Sequence, residues 1–178
     1  MDVRAVHARI ADFLDGRGVR HAVAGGFALH AYGVSRATYD LDLLVEQRAQ
    51  AALVDFLEAE GYRTLHRSTG YSNHVHAASD AGRVDVIYLA APTAEAVLGA
   101  ADARAITDAW RAPVPRAEHL IALKLHGAAQ DPPRLPRDLQ DIRDLLVRHR
   151  DIDRAAVRQQ FAKRGFADLY DRLMESDL

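Results

Sequence analysis

The sequence predicts an α/β domain, a mixed sheet flanked by helices, followed by a helical C-terminal segment. Short apolar runs such as Val19–Ala24, Leu41–Val45 and Arg83–Leu89 are typical of buried strands. Segments with apolar residues at helical spacing lie between these runs, and after about residue 113 only helical spacing remains. We therefore predict a core over residues 1–112 and a helical subdomain over 113–178 that packs on it.

The elements of the core follow from apolar spacing and from the glycines that end each run. The predicted order is a helix Val3–Leu14, strand Val19–Ala24, helix Phe27–Tyr32, strand Leu41–Val45, helix Ala51–Glu60, strands His74–Ala78 and Arg83–Leu89, and a short helix Pro92–Leu98. The last two strands form a predicted hairpin through Ser79-Asp80-Ala81-Gly82, and Tyr71, Ser72 and Asn73 are expected in the loop before it.

The second part is predicted to be helical throughout. Pro113-Val114-Pro115 favours a rigid extended segment, because proline restricts its own backbone and that of the residue before it. The predicted helices are Arg116–Ala129, Leu135–His149, Arg154–Arg164 and Ala167–Met174, with Asp131-Pro132-Pro133 and Gly165 as the breaks.

Composition excludes several classes of function. The 178 residues contain no cysteine, so disulfide frameworks and cysteine-based zinc sites or nucleophiles are excluded. A net charge of −2 argues against a protein that coats nucleic acid or membrane. Met1 to Leu14 lacks the apolar run of a signal peptide, and no window is apolar enough for a membrane span, so a cytoplasmic protein is expected. Lysine is scarce, with only Lys124 and Lys163.

The stretch from Gly25 to Val45 carries the chemistry. Gly25-Gly26 stands between a strand and a helix, where glycine lets a ligand approach and helix N–H groups favour phosphate. Asp40 and Asp42 alternate with apolar residues, so both carboxylates are expected on one face of the strand. Two adjacent carboxylates suit Mg²⁺, although two solvated aspartates at a strand edge are the simpler interpretation.

Asp85 lies in the middle of an apolar, β-branched strand. A buried carboxylate needs a partner, which could be an arginine or a shared metal ion. If this strand lies beside Leu41–Val45, Asp85 completes a three-carboxylate cluster with Asp40 and Asp42. Such a cluster can hold two Mg²⁺ ions, one for a nucleoside triphosphate and one for an attacking hydroxyl.

These residues resemble the nucleotidyltransferase superfamily that contains DNA polymerase beta, on the pattern Gly-Gly, Arg36-x-Thr38, Asp40-x-Asp42 and a later strand aspartate. The run from Pro115 to Leu125 with Lys124, followed by Arg137-Asp138 through Ile142, is similar to the AbiEii/AbiGii toxin-type nucleotidyltransferases. The resemblance spans about Val19 to Leu146 and implies a minimal nucleotidyltransferase fold with 1–112 as its catalytic core.

The resemblance also implies roles for individual residues. Asp40 and Asp42 would bind two Mg²⁺ ions, and Asp85 would bind the catalytic ion and help deprotonate the acceptor. The residues implied in binding the nucleoside triphosphate are Gly25, Gly26, Arg36, Thr38 and Lys124, with Asp138 orienting Lys124 or the base-side pocket. Ordinary interpretations compete: Lys124 could extend to the surface, and Asp138 could belong to a salt-bridged helix face.

The implied reaction transfers a nucleoside monophosphate to a hydroxyl of tRNA, protein or a small molecule. Membership of the toxin branch would imply an antitoxin protein as a partner. No association with a membrane is expected. One alternative is an antibiotic nucleotidyltransferase acting on aminoglycosides or lincosamides. Another is an inactive domain that only binds a nucleotide or a partner. His74-x-His76 could ligate a metal ion, but a cleft-lining or solvated position is the stronger expectation.

Overall fold

A computed structural model of the chain describes residues 2–78 and 82–175. Two compact units form: residues up to Ala31 with Arg36–Pro115, and Tyr32–Ser35 with the chain from Arg116 onward. The first unit contains α1 (Val3–Asp15), β1 (His21–Val23), α2 (Gly25–His30), β2 (Asp40–Glu46), α3 (Gln50–Ala59), β3 (Tyr62–Ser68), β4 (Tyr71–His76), β5 (Arg83–Leu89), α4 (Thr93–Leu98), β6 (Asp102–Thr107) and β7 (Trp110–Val114). The second contains α5 (Ala117–Gln130), α6 (Leu135–Arg148), α7 (Arg154–Lys163) and α8 (Ala167–Glu175).

A five-stranded sheet with the order β1-β2-β5-β4-β3 organises the first unit. β2 and β5 run parallel, whereas β1 pairs antiparallel with β2, β4 with β5 and β3 with β4. The sheet is therefore mixed, and the predicted fold class is confirmed. The predicted hairpin between β4 and β5 forms as well, but residues 79–81 of its turn lie outside the described residues.

The two faces of the central strands differ in chemistry. One face carries wholly buried apolar side chains, among them Leu41, Leu43, Val84 and Val86. The alternate residues at the start of these strands, Asp40 and Asp42 of β2 and Arg83 and Asp85 of β5, are partly exposed. Strand alternation thus buries one face in the core and leaves the charged side chains at the start of the other face accessible.

Four strands depart from the prediction. β4 begins at Tyr71, so Tyr71, Ser72 and Asn73 lie in a strand and not in a loop. β3 was not predicted, because its pattern of Tyr62 followed by mostly exposed residues is that of an edge strand with little apolar alternation. β6 and β7 form a separate two-stranded sheet, and β7 includes Pro113 and Val114, which were predicted only as an extended segment.

Trp110 of β7 joins a buried histidine cluster in the first unit. Its indole Nε1–H donates to His7 Nδ1 at 3.3 Å, which places the His7 proton on Nε2. The His7 ring lies 6.1 Å from the His21 ring, and His21 Nε2 lies 3.2 Å from Asp15 Oδ1. Burial first, and the neighbouring His21 second, lower the pKa of His7 to about 4.

We expect this lowered pKa to make the folded protein sensitive to acid. The unfolded chain takes up the His7 proton near pH 6.5 and the folded chain only near 4, so stability is full above about 6.5 and falls as pH drops toward 4. Between pH 7 and 5 the wild type should lose about 2 kcal/mol of unfolding free energy through His7, and the His7→Gln variant should not show this loss. Urea unfolding at both pH values measures this. His66→Gln, at an exposed histidine, should keep the wild-type pH dependence, and an equal effect of both substitutions would contradict the assignment.

The second unit is a helical cluster. α5 contacts α6 and α7, and α8 contacts α6 and α7. Ile121, Leu125, Ile142, Leu145 and Phe161 are wholly buried in it. The helical part begins at Arg116, three residues after the predicted start at 113, and the segment Tyr32–Ser35 also belongs to this unit. Within the described residues, no helix combines the length and apolarity needed to cross a membrane.

Candidate nucleotidyl transfer site

The three predicted carboxylates lie on one face of the sheet, which we call the carboxylate face. Asp42 of β2 and Asp85 of β5 are register partners on neighbouring parallel strands. Asp40 lies two residues before Asp42, on the same face, with Arg83 as its register partner. The expectation that the Asp85 strand lies beside Leu41–Val45 is confirmed. Like charges directly opposite one another repel, so this arrangement favours a cation nearby.

The glycine pair forms the turn from β1 into α2 and touches this face. Gly25 has a φ of +58°, and a Cβ added there would lie 1.8 Å from Asp42 Oδ2. A Cβ on Gly26 would lie 2.5 Å from the Thr38 Cβ. The helix begins at Gly25 itself, two residues before its predicted start at Phe27, and Ala24 provides no side-chain cap. The turn therefore brings the backbone of Gly25 close to the Asp42 carboxylate, at a helix start without a side-chain cap.

Gly25→Ala should cost far more than an ordinary glycine substitution. Gly18 has the same left-handed backbone, φ +59°, but nothing lies within 4 Å of its added Cβ. Gly18→Ala should therefore lower the unfolding free energy only by the conformational cost, about 1–2 kcal/mol. Gly25→Ala adds the clash with Asp42 and should cost at least about 1 kcal/mol more than its control. Denaturant unfolding of both variants compares them. Equal losses would show that the turn does not hold the Asp42 carboxylate.

Thr38 and Arg36 lie in the segment that connects α2 to β2. Thr38 packs against Gly26, so these two predicted residues are in contact. His30 Nε2 at the end of α2 lies 2.6 Å from the Arg36 carbonyl oxygen and donates to it. This bond ties the connecting segment to α2, close in sequence to Asp40.

Asp85 has an arginine partner, one of the two alternatives that the sequence left open. Arg83 Nε donates to Asp85 Oδ1 at 2.9 Å, from the same side of β5. The Asp85 side chain is 14% exposed and that of Arg83 39%. Tyr71 of β4 lies within hydrogen-bonding reach of both, and burial followed by the Asp85 charge raises the pKa of Tyr71.

Mg²⁺ fits part of the predicted donor set. Within residues 2–78 and 82–175, no three carboxylate or histidine side chains converge closely enough to ligate one ion. The three-carboxylate cluster is therefore not assembled among these residues, and Asp85 is paired with Arg83. The register pair Asp42 and Asp85 still offers hard oxygen ligands beside the glycine turn. Mg²⁺ usually takes one or two protein carboxylates and completes its shell with substrate phosphates and water, so this pair suits it.

Lys124 lies in a buried charge cluster of the second unit. It is 9% exposed, and its Nζ donates to Asp141 Oδ2 at 2.5 Å and to Asp138 Oδ1 at 3.3 Å. Arg134 Nε lies 3.5 Å from Asp138 Oδ2. The alternative of a lysine extending to the surface is wrong, since neighbouring helices bury it. Asp141 was missed as a site residue, although its spacing of three from Asp138 places both on one helix face.

His74 and His76 do not line the carboxylate face. They alternate with Asn73, the register partner of Asp85, and therefore point to the opposite side of β4. His74 is wholly buried, with Ser72 Oγ 2.8 Å from Nε2 and Thr64 Oγ1 3.1 Å from Nδ1. Burial lowers its pKa. His76 Nε2 lies 3.0 Å from the Glu60 carbonyl oxygen. Hydrogen bonds within the protein occupy these ring nitrogens, and neither histidine lines the face that carries Asp42 and Asp85.

The mixed sheet, the glycine turn and the paired strand aspartates define a nucleotidyltransferase fold. The chain belongs to the family described as the AbiEii nucleotidyl transferase toxin of type IV toxin–antitoxin systems, whose profile matches residues 14–177. Nucleotidyl transfer is thus the activity class of its family. No curated protein sequence matches the chain.

Solved structures share the fold at low sequence identity. The solution structure of the antibiotic-resistance factor ANT(2'')-Ia has a TM-score of 0.66 and 20% identity, over 99% of this chain and 98% of that one. The lincosamide antibiotic adenylyltransferase LnuA, with lincomycin bound, has a TM-score of 0.57 and 14% identity, over 84% of this chain and 98% of that one. An antigenic nucleotidyltransferase-like protein from Paracoccidioides brasiliensis has a TM-score of 0.57 and 14% identity, over 97% and 92%.

Proposed function

We propose that the protein is a Mg²⁺-dependent nucleotidyltransferase that moves a nucleoside monophosphate from a nucleoside triphosphate to an acceptor hydroxyl. The observation that carries this proposal is the register pair Asp42–Asp85 with Gly25 packed against Asp42. The glycine turn and two carboxylates therefore lie close together, an arrangement that supports binding of phosphate and of a hard metal ion at the same place. Type IV toxin–antitoxin membership of the family supports an antitoxin protein as partner.

Each residue has a defined task in this reaction. Bound Mg²⁺ would neutralise phosphate charge and activate the hydroxyl, as two-metal sites do in general. Asp42 and Asp85 would hold bound Mg²⁺, with Asp40 on the same face as a further carboxylate ligand, and backbone N–H groups at Gly25 and Gly26 would bind the triphosphate. The acceptor oxygen bonds to the α-phosphorus while the bond to pyrophosphate breaks, and Asp85 accepts the hydroxyl proton. The resemblance assigns Lys124 a contact to phosphate, and Asp138 and Asp141 fix its ammonium group.

The charge beyond Asp85 favours an anionic acceptor. β3 and β4 continue the carboxylate face with Asn73 opposite Asp85 and His66 opposite Asn73, and Arg63 lies on the same side. Arg63 is therefore a cation on this side, and from Tyr62 to Ala78 the sequence has no carboxylate. Polycationic aminoglycosides need acidic surroundings, whereas the phosphates of an RNA end suit basic ones. We therefore place an RNA such as tRNA first among the acceptors.

The test is the mass change of candidate acceptors. The protein is incubated with each nucleoside triphosphate and Mg²⁺, together with total tRNA, cell protein, an aminoglycoside or a lincosamide. We expect tRNA to gain one nucleoside monophosphate. The matched control is the double variant Asp40→Ala and Asp42→Ala, which should be inactive, and activity that survives it would refute the assignment. A gain on a drug alone would instead identify an antibiotic nucleotidyltransferase. Triphosphate binding with no transfer to any acceptor would identify a binding domain.

A further inference from the structure

Arg83 is a cation that lies among the aspartates of the carboxylate face. Its Cα is the register partner of Asp40, and its guanidinium binds Asp85, two residues along the same strand. Asp42, opposite Asp85, is diagonal to it. Across the described residues of β2, β4 and β5, Arg83 is the one cation on this face, facing three aspartates.

This geometry makes Arg83 the counter-ion of Asp85, beside the other two aspartates of the face. Opposite charges on neighbouring strands stabilise a sheet and like charges destabilise it. The three aspartates alone carry a net charge of −3, and Arg83 reduces it to −2. Its Nε occupies one oxygen of Asp85, the carboxylate that a metal ion at the Asp42–Asp85 pair would also use. An arginine and a divalent ion therefore compete for the same carboxylate.

We infer that Arg83 is a positioning residue that holds Asp85 in the metal-free protein and is displaced from it when a divalent ion binds. The inference rests on the proposed function, because it concerns the same carboxylates. The two binding events are linked reciprocally. The free energy by which the Arg83–Asp85 pair weakens ion binding equals the free energy by which the bound ion weakens that pair. Arg83 thus lowers the metal affinity of the site and stabilises the site before metal arrives.

Calorimetric titration with Mn²⁺ alone, without nucleotide, tests the inference. Arg83→Gln should bind Mn²⁺ about fivefold more tightly than the wild type, the size of a modest coupling. Its Tm without metal should fall, and Mn²⁺ should raise that Tm more than it raises the wild-type value. The matched control is Arg63→Gln, which removes an exposed arginine from the same side of the sheet without touching Asp85. Its affinity should stay within about twofold of the wild type.

The outcomes separate the inference from the proposed function. If the wild type binds Mn²⁺ and Arg83→Gln binds it equally well, the displacement is refuted while the metal site stands. If Arg63→Gln tightens binding as much as Arg83→Gln, only overall charge matters and the inference also fails. If neither the wild type nor Arg83→Gln binds Mn²⁺, both the inference and the metal-dependent function are refuted.

Discussion

Asp42→Asn is expected to lower nucleotidyl transfer by a factor of about 1,000 or more without destabilising the protein. The asparagine keeps the shape of the side chain against Gly25 but removes the charge that would hold Mg²⁺. Losing one group that stabilises a transition-state charge commonly costs a factor of about 100 to 1,000, and a lost metal ion costs at least as much. Because Asp42 faces Asp85, the substitution also relieves a repulsion, so the Tm should stay level or rise slightly.

Transfer of label from a nucleoside triphosphate to tRNA measures the first effect, and thermal unfolding the second. Asp55→Asn is the matched control, since Asp55 is an exposed aspartate of α3. It should leave both activity and Tm unchanged. Loss of activity together with a collapse of the Tm would show that Asp42 is structural. Full activity in Asp42→Asn would remove it from the site.

Lys124→Met is expected to destabilise the protein by about 3–5 kcal/mol. Nearly all of the lysine is buried, and its removal leaves Asp138 and Asp141 buried without their shared cation. Removing one partner of a buried ion pair costs about that much, because the remaining charge is then buried without an opposite charge beside it. Urea unfolding near pH 7 measures the difference. Lys163→Met is the control that the chain itself offers: the other lysine is exposed, and its loss should change stability by less than about 0.5 kcal/mol.

A rescue variant distinguishes charge from packing. Adding Asp138→Leu and Asp141→Leu to Lys124→Met removes the uncompensated carboxylates, so most of the lost stability should return. The triple variant should nevertheless stay inactive if Lys124 contacts phosphate. Continued instability of the triple variant would mean that lost packing, and not uncompensated charge, explains the first result. Full activity would remove Lys124 from phosphate binding.

The sequence predicted the elements whose apolar residues recur at a regular spacing. α1, α3 and the four helices of the second unit match their predicted ranges within a residue or two, because apolar spacing reports directly which face is buried. β3 and β6 were missed, since only a residue or two in each is buried, and β7, with Pro113 inside it, was predicted only as an extended segment. β3 pairs with β4 and β6 with β7, the next strand along the chain in each case, but their exposed side chains leave too little apolar alternation to identify a strand.

For the site, the sequence by itself determined the residue types and their faces: alternation placed Asp40 and Asp42 together, and the glycine pair marked the turn. Only the tertiary structure decided which strands are neighbours, and so that Asp42 faces Asp85 and that Arg83 holds Asp85. It also decided that Lys124 is shared by Asp138 and Asp141 and that His74 and His76 point away. The physical reason is that a side chain's face depends on local backbone geometry, whereas its partner depends on strand order and helix packing.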